Sequence, residues 1–356
     1  MHVWQVPEES TTRALQMELW DVFITRDVLE SQQGTVITFV GSLQQDADVA
    51  FRALKQRFSR HGYTPMLRRQ NGEDVIVAVP EMAQPLVNSR PLVHLVLFLA
   101  TLLTTMAMGA VIAGANPLRN PRELERGAAF AFGLLSILGV HELGHYFVAR
   151  RHGVAVTLPY FIPVPFGLGT FGAFIQLQSP VENRRALFDV GIAGPLAGTL
   201  AAIPLFVIGL IQSRVVVDPG YNKLSASLLV ESLVQLVRPH PDGYVVLLHP
   251  LALAAWFGLL VTGINLLPAG QLDGGHIAYA VLGAQARWMT LGVLLMLMVM
   301  GWLYWPGWYV WALFVALTGR DHPAPLDDIT TLDGIRRLWA LLGLGTLAIT
   351  FTPAPF

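Results

Sequence analysis

Residues 127–151 read GAAFAFGLLSILGVHELGHYFVARR, and the interpretation of the whole chain starts from this stretch. Its first 23 residues carry one formal charge, the carboxylate of Glu142, and the stretch ends in Arg150-Arg151. About 20 consecutive apolar residues are enough to cross the hydrocarbon core of a bilayer as a helix. The stretch therefore predicts a membrane-spanning helix that has an ionisable group inside it.

Glu142 belongs to the motif His141-Glu142-Leu143-Gly144-His145. Positions i and i+4 of a helix are about 400° apart, which leaves the two imidazoles within about 40° of each other on one face. Both histidines can therefore bind one zinc ion, and Glu142 lies beside them where it can accept a proton from water. An ionisable residue inside a membrane helix costs about 2.5–3.5 kcal/mol on insertion scales, so its presence indicates a functional site.

The composition of the chain agrees with a membrane protein. Charged residues make up 13% of the 356 residues and apolar residues 53%, whereas soluble domains have about 25% charged residues. The chain has no cysteine, which excludes disulfides, a thiol nucleophile and cysteine-ligated metals. A net charge of -1 and only two lysines argue against nucleic acid as a partner.

The pattern along the chain predicts a mainly α, polytopic helical membrane protein with a small N-terminal soluble α/β domain. Residues 1–88 form that domain, with a strand after a Gly34 turn, a helix from Asp46 and a hairpin at Asn71-Gly72. Residues 89–356 form the membrane-embedded domain, with an outer loop at 213–248. Seven spans are expected, with six as the alternative: 92–114, 127–149, 186–211, 251–267, two within 288–318 that turn at Pro306-Gly307, and 338–351.

The distribution of arginines predicts the orientation in the bilayer. Basic residues are enriched on the cytoplasmic side of membrane proteins. With a cytoplasmic N-terminal domain, most of the loop arginines fall on that side; they are Arg150, Arg151, Arg184, Arg185, Arg287, Arg320, Arg336 and Arg337. His141 lies nine residues before Arg150, about 14 Å along the helix, so the site is expected near the cytoplasmic side.

A catalytic zinc site needs a third protein ligand, and Asp273 is the main candidate. It follows an apolar span that breaks at Leu267-Pro268 and precedes two glycines. The rivals are Asp189, which is expected to cap a helix or pair with Arg185, and His276, which is expected to hydrogen-bond locally. Three further histidines are expected at span ends without a metal: His94, His152 and His249.

Residues 154–178 are apolar but rich in proline and glycine. Irregular backbone survives at membrane depth only where it is buried in protein or lines a cavity. The segment is therefore predicted to be a re-entrant loop or a hairpin beside the site. Its edge could hold an extended peptide by strand addition, and the candidate substrate-binding residues there are Gly169, Thr170, Phe171 and Gly172.

The pairing of His141–His145 with Leu272-Asp273-Gly274 in a later span resembles the site-2 protease family of intramembrane zinc metalloproteases. The strings 169–173 and 187–195 are similar to the cyanobacterial and chloroplast-type branch of that family. The resemblance implies that His141, His145 and Asp273 bind one catalytic Zn²⁺ and that Glu142 is the general base. It also implies that Asn265 lies beside the substrate.

By the same resemblance, the catalytic core covers about residues 127–285, and the substrates are single-pass membrane proteins that another protease has already cut. No PDZ-like or paired nucleotide-sensing regulatory domain is visible in the sequence. Two other functions stay open at this point: a non-proteolytic membrane scaffold that retains zinc, and a metal transporter. The intact Glu142 argues against a scaffold, and the lack of internal repeats argues against a transporter.

Overall fold

The computed structural model describes residues 9–31, 35–81, 90–218, 220, 225–319 and 322–355; Gly34 and its expected turn lie outside these ranges. The chain divides into two compact units. The first consists of residues 1–86, 179–187 and 323–333, and the second contains the remaining residues.

The first unit is an antiparallel sheet with two helices. Its elements are α1 (Glu9–Met17), β1 (Phe23–Glu30), β2 (Ile37–Leu43), α2 (Ala47–Ser59), β3 (Tyr63–Gln70) and β4 (Glu73–Pro80), with the strands in the order β1-β2-β4-β3. β3 and β4 form the hairpin that Asn71-Gly72 predicts. Both turn residues have positive φ, 51° and 85°, as the favoured two-residue hairpin turn requires.

Two segments from much later in the chain complete this sheet. The backbone of Leu326 accepts a 2.8 Å hydrogen bond from Leu67 on β3 and donates one of 3.0 Å to Val181. The Leu326 side chain is 8% exposed and belongs to the core of the first unit, with Leu54, Phe58 and Ile76. The sequence prediction set its domain boundary at residue 88 and included neither segment.

The second unit is helical and contains the membrane spans. Its elements are α3 (Pro91–Ile112), α4 (Ala128–Arg151), β5 (Tyr160–Pro163), β6 (Thr170–Phe174), α5 (Arg184–Gln212, whose first turn belongs to the first unit), β7 (Arg214–Val217), α6 (Leu228–Val237), β8 (Tyr244–Leu247), α7 (Pro250–Asn265), α8 (Asp273–Leu282), α9 (Ala286–Leu303), α10 (Gly307–Thr318) and α11 (Gly334–Thr350).

Among the described residues, four helical stretches are long and apolar enough to cross a membrane: 91–112, 121–151, 184–212 and 273–303. Shorter apolar helices accompany them at 228–237, 250–265 and 307–317. The chain is therefore a mainly helical, multi-pass membrane protein, and the count of six or seven spans stays a prediction. The expected break at Pro306-Gly307 is confirmed, because α9 ends at Leu303 and α10 begins at Gly307.

The irregular segment after α4 is a hairpin of β5 and β6, which pair antiparallel with Tyr160 opposite Phe174. β5 packs against α3, and β6 contacts α4. Two backbone bonds extend the pairing beyond the named strands, from Thr157 to the Gln176 carbonyl (3.1 Å) and from Gln178 to the Ala155 carbonyl (2.7 Å). Of the two predicted forms of this segment, the structure has the hairpin.

The contribution of the remote segment to the first unit can be tested with Leu326→Ala in the full-length chain. We expect a loss of about 2–5 kcal/mol of stability in this unit, because the truncation leaves a cavity in its core. Limited proteolysis of the detergent-solubilised protein against urea measures the loss. Leu29→Ala is the matched control, since Leu29 on β1 is 53% exposed; equal effects of the two variants would contradict this role of Leu326.

Candidate metal centre

His141 and His145 lie on consecutive turns of α4 and face the same side. They are 4% and 6% exposed, and their ring centroids are 5.0 Å apart. This is the geometry that the i, i+4 spacing predicts. The helix therefore presents two imidazoles together in an apolar interior.

Asp273, the first residue of α8, faces both imidazoles. One carboxylate oxygen lies 3.0 Å from His141 Nε2, and the other lies 3.3 Å from His145 Nε2. One ligand atom from each of the three residues lies within 4.8 Å of the others. Within the described ranges, no other group of three or more histidines, aspartates or glutamates meets this spacing. The structure thus brings together the three predicted ligands, although Asp273 on α8 follows His141 on α4 by 132 residues in sequence.

A backbone carbonyl on α5 fixes the proton of His145. His145 Nδ1 lies 2.7 Å from the Val190 carbonyl oxygen. Because a carbonyl can only accept, Nδ1 carries the hydrogen and donates it. The lone pair of Nε2 therefore points toward Asp273, which is the usual arrangement of a histidine that binds a metal.

Three glycines on one face of α5 make room for the site. A Cβ on Gly194 would lie 2.0 Å from His145 Nε2, and a Cβ on Gly198 would lie 3.0 Å from His141 Nδ1. A Cβ on Gly191 would lie 2.9 Å from the Cβ of His276 on α8. Any larger residue at Gly194 would occupy the space at the ligand nitrogen itself.

The donor set fits zinc. Zn²⁺ prefers imidazole nitrogen and carboxylate oxygen where thiolate is absent, and catalytic sites use three protein ligands. His141, His145 and Asp273 supply two nitrogens and one carboxylate, and the carboxylate side chain is 15% exposed with the two imidazoles as its partners. A largely desolvated carboxylate without compensating charge is costly, so a divalent cation at this point would satisfy all three groups.

Glu142 is positioned beside the three ligands without being one of them. It is 8% exposed, and its carboxylate faces the backbone N–H of Ile175, just after β6. Successive residues of a strand point their N–H groups to opposite edges. Since Gln176 and Gln178 pair with the β5 side, Ile175 presents its N–H on the opposite edge, toward α4.

The two rival ligands have other partners, and both expectations for them were wrong in detail. Asp189 accepts two hydrogen bonds from Arg336 (2.7 and 2.6 Å) and also lies 2.9 Å from His152 Nε2, rather than pairing with Arg185. His276 Nδ1 meets His322 Nε2, 46 residues downstream, rather than a local group. In both cases the partner is distant in sequence, where local patterns carry no information.

The three histidines that were expected at span ends have partners there. His249 caps α7, with Nδ1 accepting from the Leu251 N–H at 3.2 Å, and His152 follows α4 and pairs with Asp189. His94 Nδ1 lies 3.2 Å from the Pro159 carbonyl oxygen. None of the three contributes to the metal centre.

The predicted substrate-binding residues fall in two places. Asn265 ends α7 and is partly buried. Thr170 is buried and bonds within the hairpin, donating to the Ile162 carbonyl at 2.9 Å, while Phe171 is 68% exposed. Gly169 has φ +83°, and a Cβ there would lie 2.4 Å from Thr105 Cα on α3. Gly172 leaves space around its Cα.

Sequence reasoning missed the Val190 carbonyl and the purpose of the glycines. A backbone acceptor leaves no mark in the residue type, so Val190 could not have been found. Gly194 and Gly198 were visible as small residues in a span. Their i, i+4 spacing matches that of His141 and His145. This match was the signal in the sequence that could have indicated that the glycines leave space for the two histidines.

The space at Gly194 can be tested by metal analysis. We expect Gly194→Ala to lower the zinc content of the purified protein from about one ion to near zero, because the new methyl group would displace the His145 ring. Gly345→Ala is the control, since a Cβ there meets nothing within 4 Å on α11. A Gly194→Ala protein with full zinc content would show that this face of α5 does not limit the site.

Comparison with known proteins finds a family whose model matches the part of the chain that contains this site. The model of peptidase family M50 matches residues 129–300, which include all three candidate ligands and Glu142. No solved structure matches the chain significantly.

Several plant proteins are similar to this chain. The probable zinc metalloprotease EGY1, chloroplastic, of Oryza sativa subsp. japonica is 34% identical over 249 residues, covering 65% of this chain and 41% of that protein. The probable zinc metalloprotease EGY2, chloroplastic, of Arabidopsis thaliana is 34% identical over 241 residues, with 65% and 43% covered. The probable zinc metalloprotease EGY3, chloroplastic, of Oryza sativa subsp. indica is 27% identical over 412 residues, with 98% and 68% covered.

The chain spans less than half the length of the first two relatives. Their names agree with the chloroplast-type branch that the strings at 169–173 and 187–195 indicate. The family match covers both motifs that carry the resemblance. By its motifs, its ligand geometry and these matches, residues 129–300 of the chain are similar to peptidase family M50, the site-2 protease family of zinc metalloproteases.

Proposed function

We propose that this protein is an intramembrane zinc endopeptidase that cleaves transmembrane segments of membrane-anchored proteins. The meeting of His141, His145 and Asp273 beside Glu142, within apolar helices, supports this function most directly. The orientation that the arginines favour puts the N-terminal domain in the cytoplasm and the site near the cytoplasmic side.

The roles of the residues follow from their chemistry. His141, His145 and Asp273 would hold the zinc, which when bound supplies a Lewis acid that polarises a carbonyl and lowers the pKa of water. The Glu142 carboxylate accepts a proton from the attacking water. It then delivers that proton to the nitrogen of the leaving amine, so that one new chain carries a carboxylate and the other an amine.

The substrate has to unwind before it can react. The backbone groups of a transmembrane helix are hydrogen-bonded within the helix, so a carbonyl reaches the site only where the helix opens. Residues that destabilise helices in the target span should favour cleavage for this reason. Single-pass membrane proteins already trimmed by another protease are the substrate class that the family resemblance suggests.

The edge of β6 is suited to receive the opened peptide. The outward N–H groups of this edge lead to Ile175, and Glu142 faces that N–H. A peptide added to the edge would gain backbone hydrogen bonds without regard to its sequence. Gly169, Thr170, Phe171 and Gly172 belong to this strand, and Asn265 is a further candidate for holding the peptide.

The function can be tested with Glu142→Gln and a model transmembrane peptide in detergent micelles. We expect this variant to retain the zinc of the wild type and to cleave about 10²–10⁴-fold more slowly, because the base is lost while the ligands stay. Glu231→Gln, an exposed glutamate on α6, is the control. Full activity of Glu142→Gln would contradict the mechanism, and a zinc-loaded wild type that cleaves no peptide would favour a scaffold.

The role of the β6 edge can be tested at Ile175. Proline there removes the outward N–H, which is also the group that faces Glu142, whereas Ile175→Ala keeps it. We expect Ile175→Pro to slow cleavage several-fold at unchanged zinc content and Ile175→Ala to change it little. Steady-state cleavage and metal analysis give the two readouts. Equal rates for both variants would remove strand addition from the mechanism.

A further inference from the structure

Helix α3 carries polar side chains that neither the metal centre nor the proposed chemistry uses. His94 and Thr101 are buried at 6% and 0% exposure, and Thr104 is partly buried. Ionisable residues such as histidine are rare inside membrane helices and usually functional. Thr105 is also buried at 0% exposure; the helix is otherwise apolar, and it contains none of the predicted ligands.

His94 contacts the start of the hairpin in two ways. Its Nδ1 lies 3.2 Å from the Pro159 carbonyl oxygen, which can only accept, so Nδ1–H donates. Its ring lies over the ring of Tyr160, with centroids 4.1 Å apart. Tyr160 in turn stacks on Phe174 of β6, with centroids 5.4 Å apart. Three rings thus connect α3 through β5 to the strand next to Ile175.

Thr104 holds the other end of the hairpin. Its hydroxyl lies 2.7 Å from the Gly169 carbonyl oxygen, in the turn before β6. This acceptor is closer than the two within α3, the carbonyl oxygens of Ala100 at 3.0 Å and Thr101 at 3.1 Å. Gly169 approaches the α3 backbone so closely that a Cβ would lie 2.6 Å from the Thr104 carbonyl oxygen. Between these two points, Phe98 packs edge-on against Phe161 of β5 at 5.2 Å. The back of the hairpin is therefore fastened to α3 along its length.

The surroundings of His94 Nε2 show which atoms of this side chain make stabilising contacts. Nε2 is buried and has no hydrogen-bond partner among the described residues. An unsatisfied buried nitrogen is unfavourable, so Nε2 does not stabilise the contact with the hairpin. The stabilising features of His94 are its Nδ1–H donor and its flat ring. Asparagine keeps a donor near the Nδ1 position, and phenylalanine keeps a ring.

We propose that His94 and Thr104 are positioning residues that set the β6 edge at the correct place beside Glu142. The inference rests on the proposed function, since it assigns the hairpin to substrate binding. β5 lies against α3 and β6 contacts α4, so a hairpin held from behind presents its outer edge toward the catalytic carboxylate. Loosening this attachment should weaken peptide binding equally in the ground state and the transition state, which raises KM and spares kcat.

The experiment compares four variants of the full-length protein with a model transmembrane peptide. We expect His94→Phe and Thr104→Val to raise KM about five- to tenfold, with kcat within about twofold and zinc content unchanged, as the loss of one buried hydrogen bond predicts. His94→Asn and Thr104→Ser should recover most of the KM. A fall in kcat at constant KM, or no recovery with the conservative variants, would overturn the assignment.

A second readout separates this inference from the proposed function. The chain has no cysteine, so spin labels can be attached through cysteines at Phe171 on β6 and Phe132 on α4, which are 68% and 61% exposed. His94→Phe should broaden the distance distribution between the labels. Thr101→Val is the control, since the Thr101 hydroxyl bonds within α3, to Leu97 at 2.8 Å. If the wild type cleaves no peptide, the proposed function fails, and an unchanged distribution in His94→Phe overturns the positioning role by itself.

Discussion

A carboxylate shared by two imidazoles in an apolar interior is the interaction on which the second unit depends. Desolvating these groups is expensive, and breaking such a group by removing one partner leaves an uncompensated charge. Asp273 lies within 3.3 Å of both ligand nitrogens. Because Asp273 and the histidines belong to different helices, the requirement fixes how α4 and α8 meet.

Close approach of backbones makes that meeting possible. α5 presents Gly191, Gly194 and Gly198 toward α8 and the two histidines, so that side chains from both neighbours fit against its bare face. Without an apolar driving force between helices in lipid, small residues and good packing are what hold spans together. The Val190 carbonyl adds a direct bond from the same helix to His145. One helix without a ligand of its own therefore determines the shape of the metal centre.

Sequence reasoning could reach the parts of this structure that follow from periodicity and charge. The i, i+4 histidines, the lone carboxylate of a span and the Asn71-Gly72 hairpin each have a local physical cause. Sequence reasoning could not predict partners that lie far apart in the chain. Asp189 binds Arg336 instead of the neighbouring Arg185, and Leu326 enters the core of the first unit. Tertiary packing selects such partners, and no local pattern encodes the selection.

The polar residues of the spans divide into two groups by what they meet. His141, His145 and Asp273 meet one another, whereas His94 and Thr104 meet backbone carbonyls of the hairpin. His94 and Thr104 supply hydrogen-bond donors that the membrane interior lacks. Extended backbone inside an apolar assembly has carbonyl and N–H groups that need partners, since lipid offers none. β6 satisfies one edge with β5, and the α3 side chains bond the carbonyls just before each strand. Two hairpin carbonyls are thus bonded on the α3 side, while β6 contacts α4, the helix that carries Glu142.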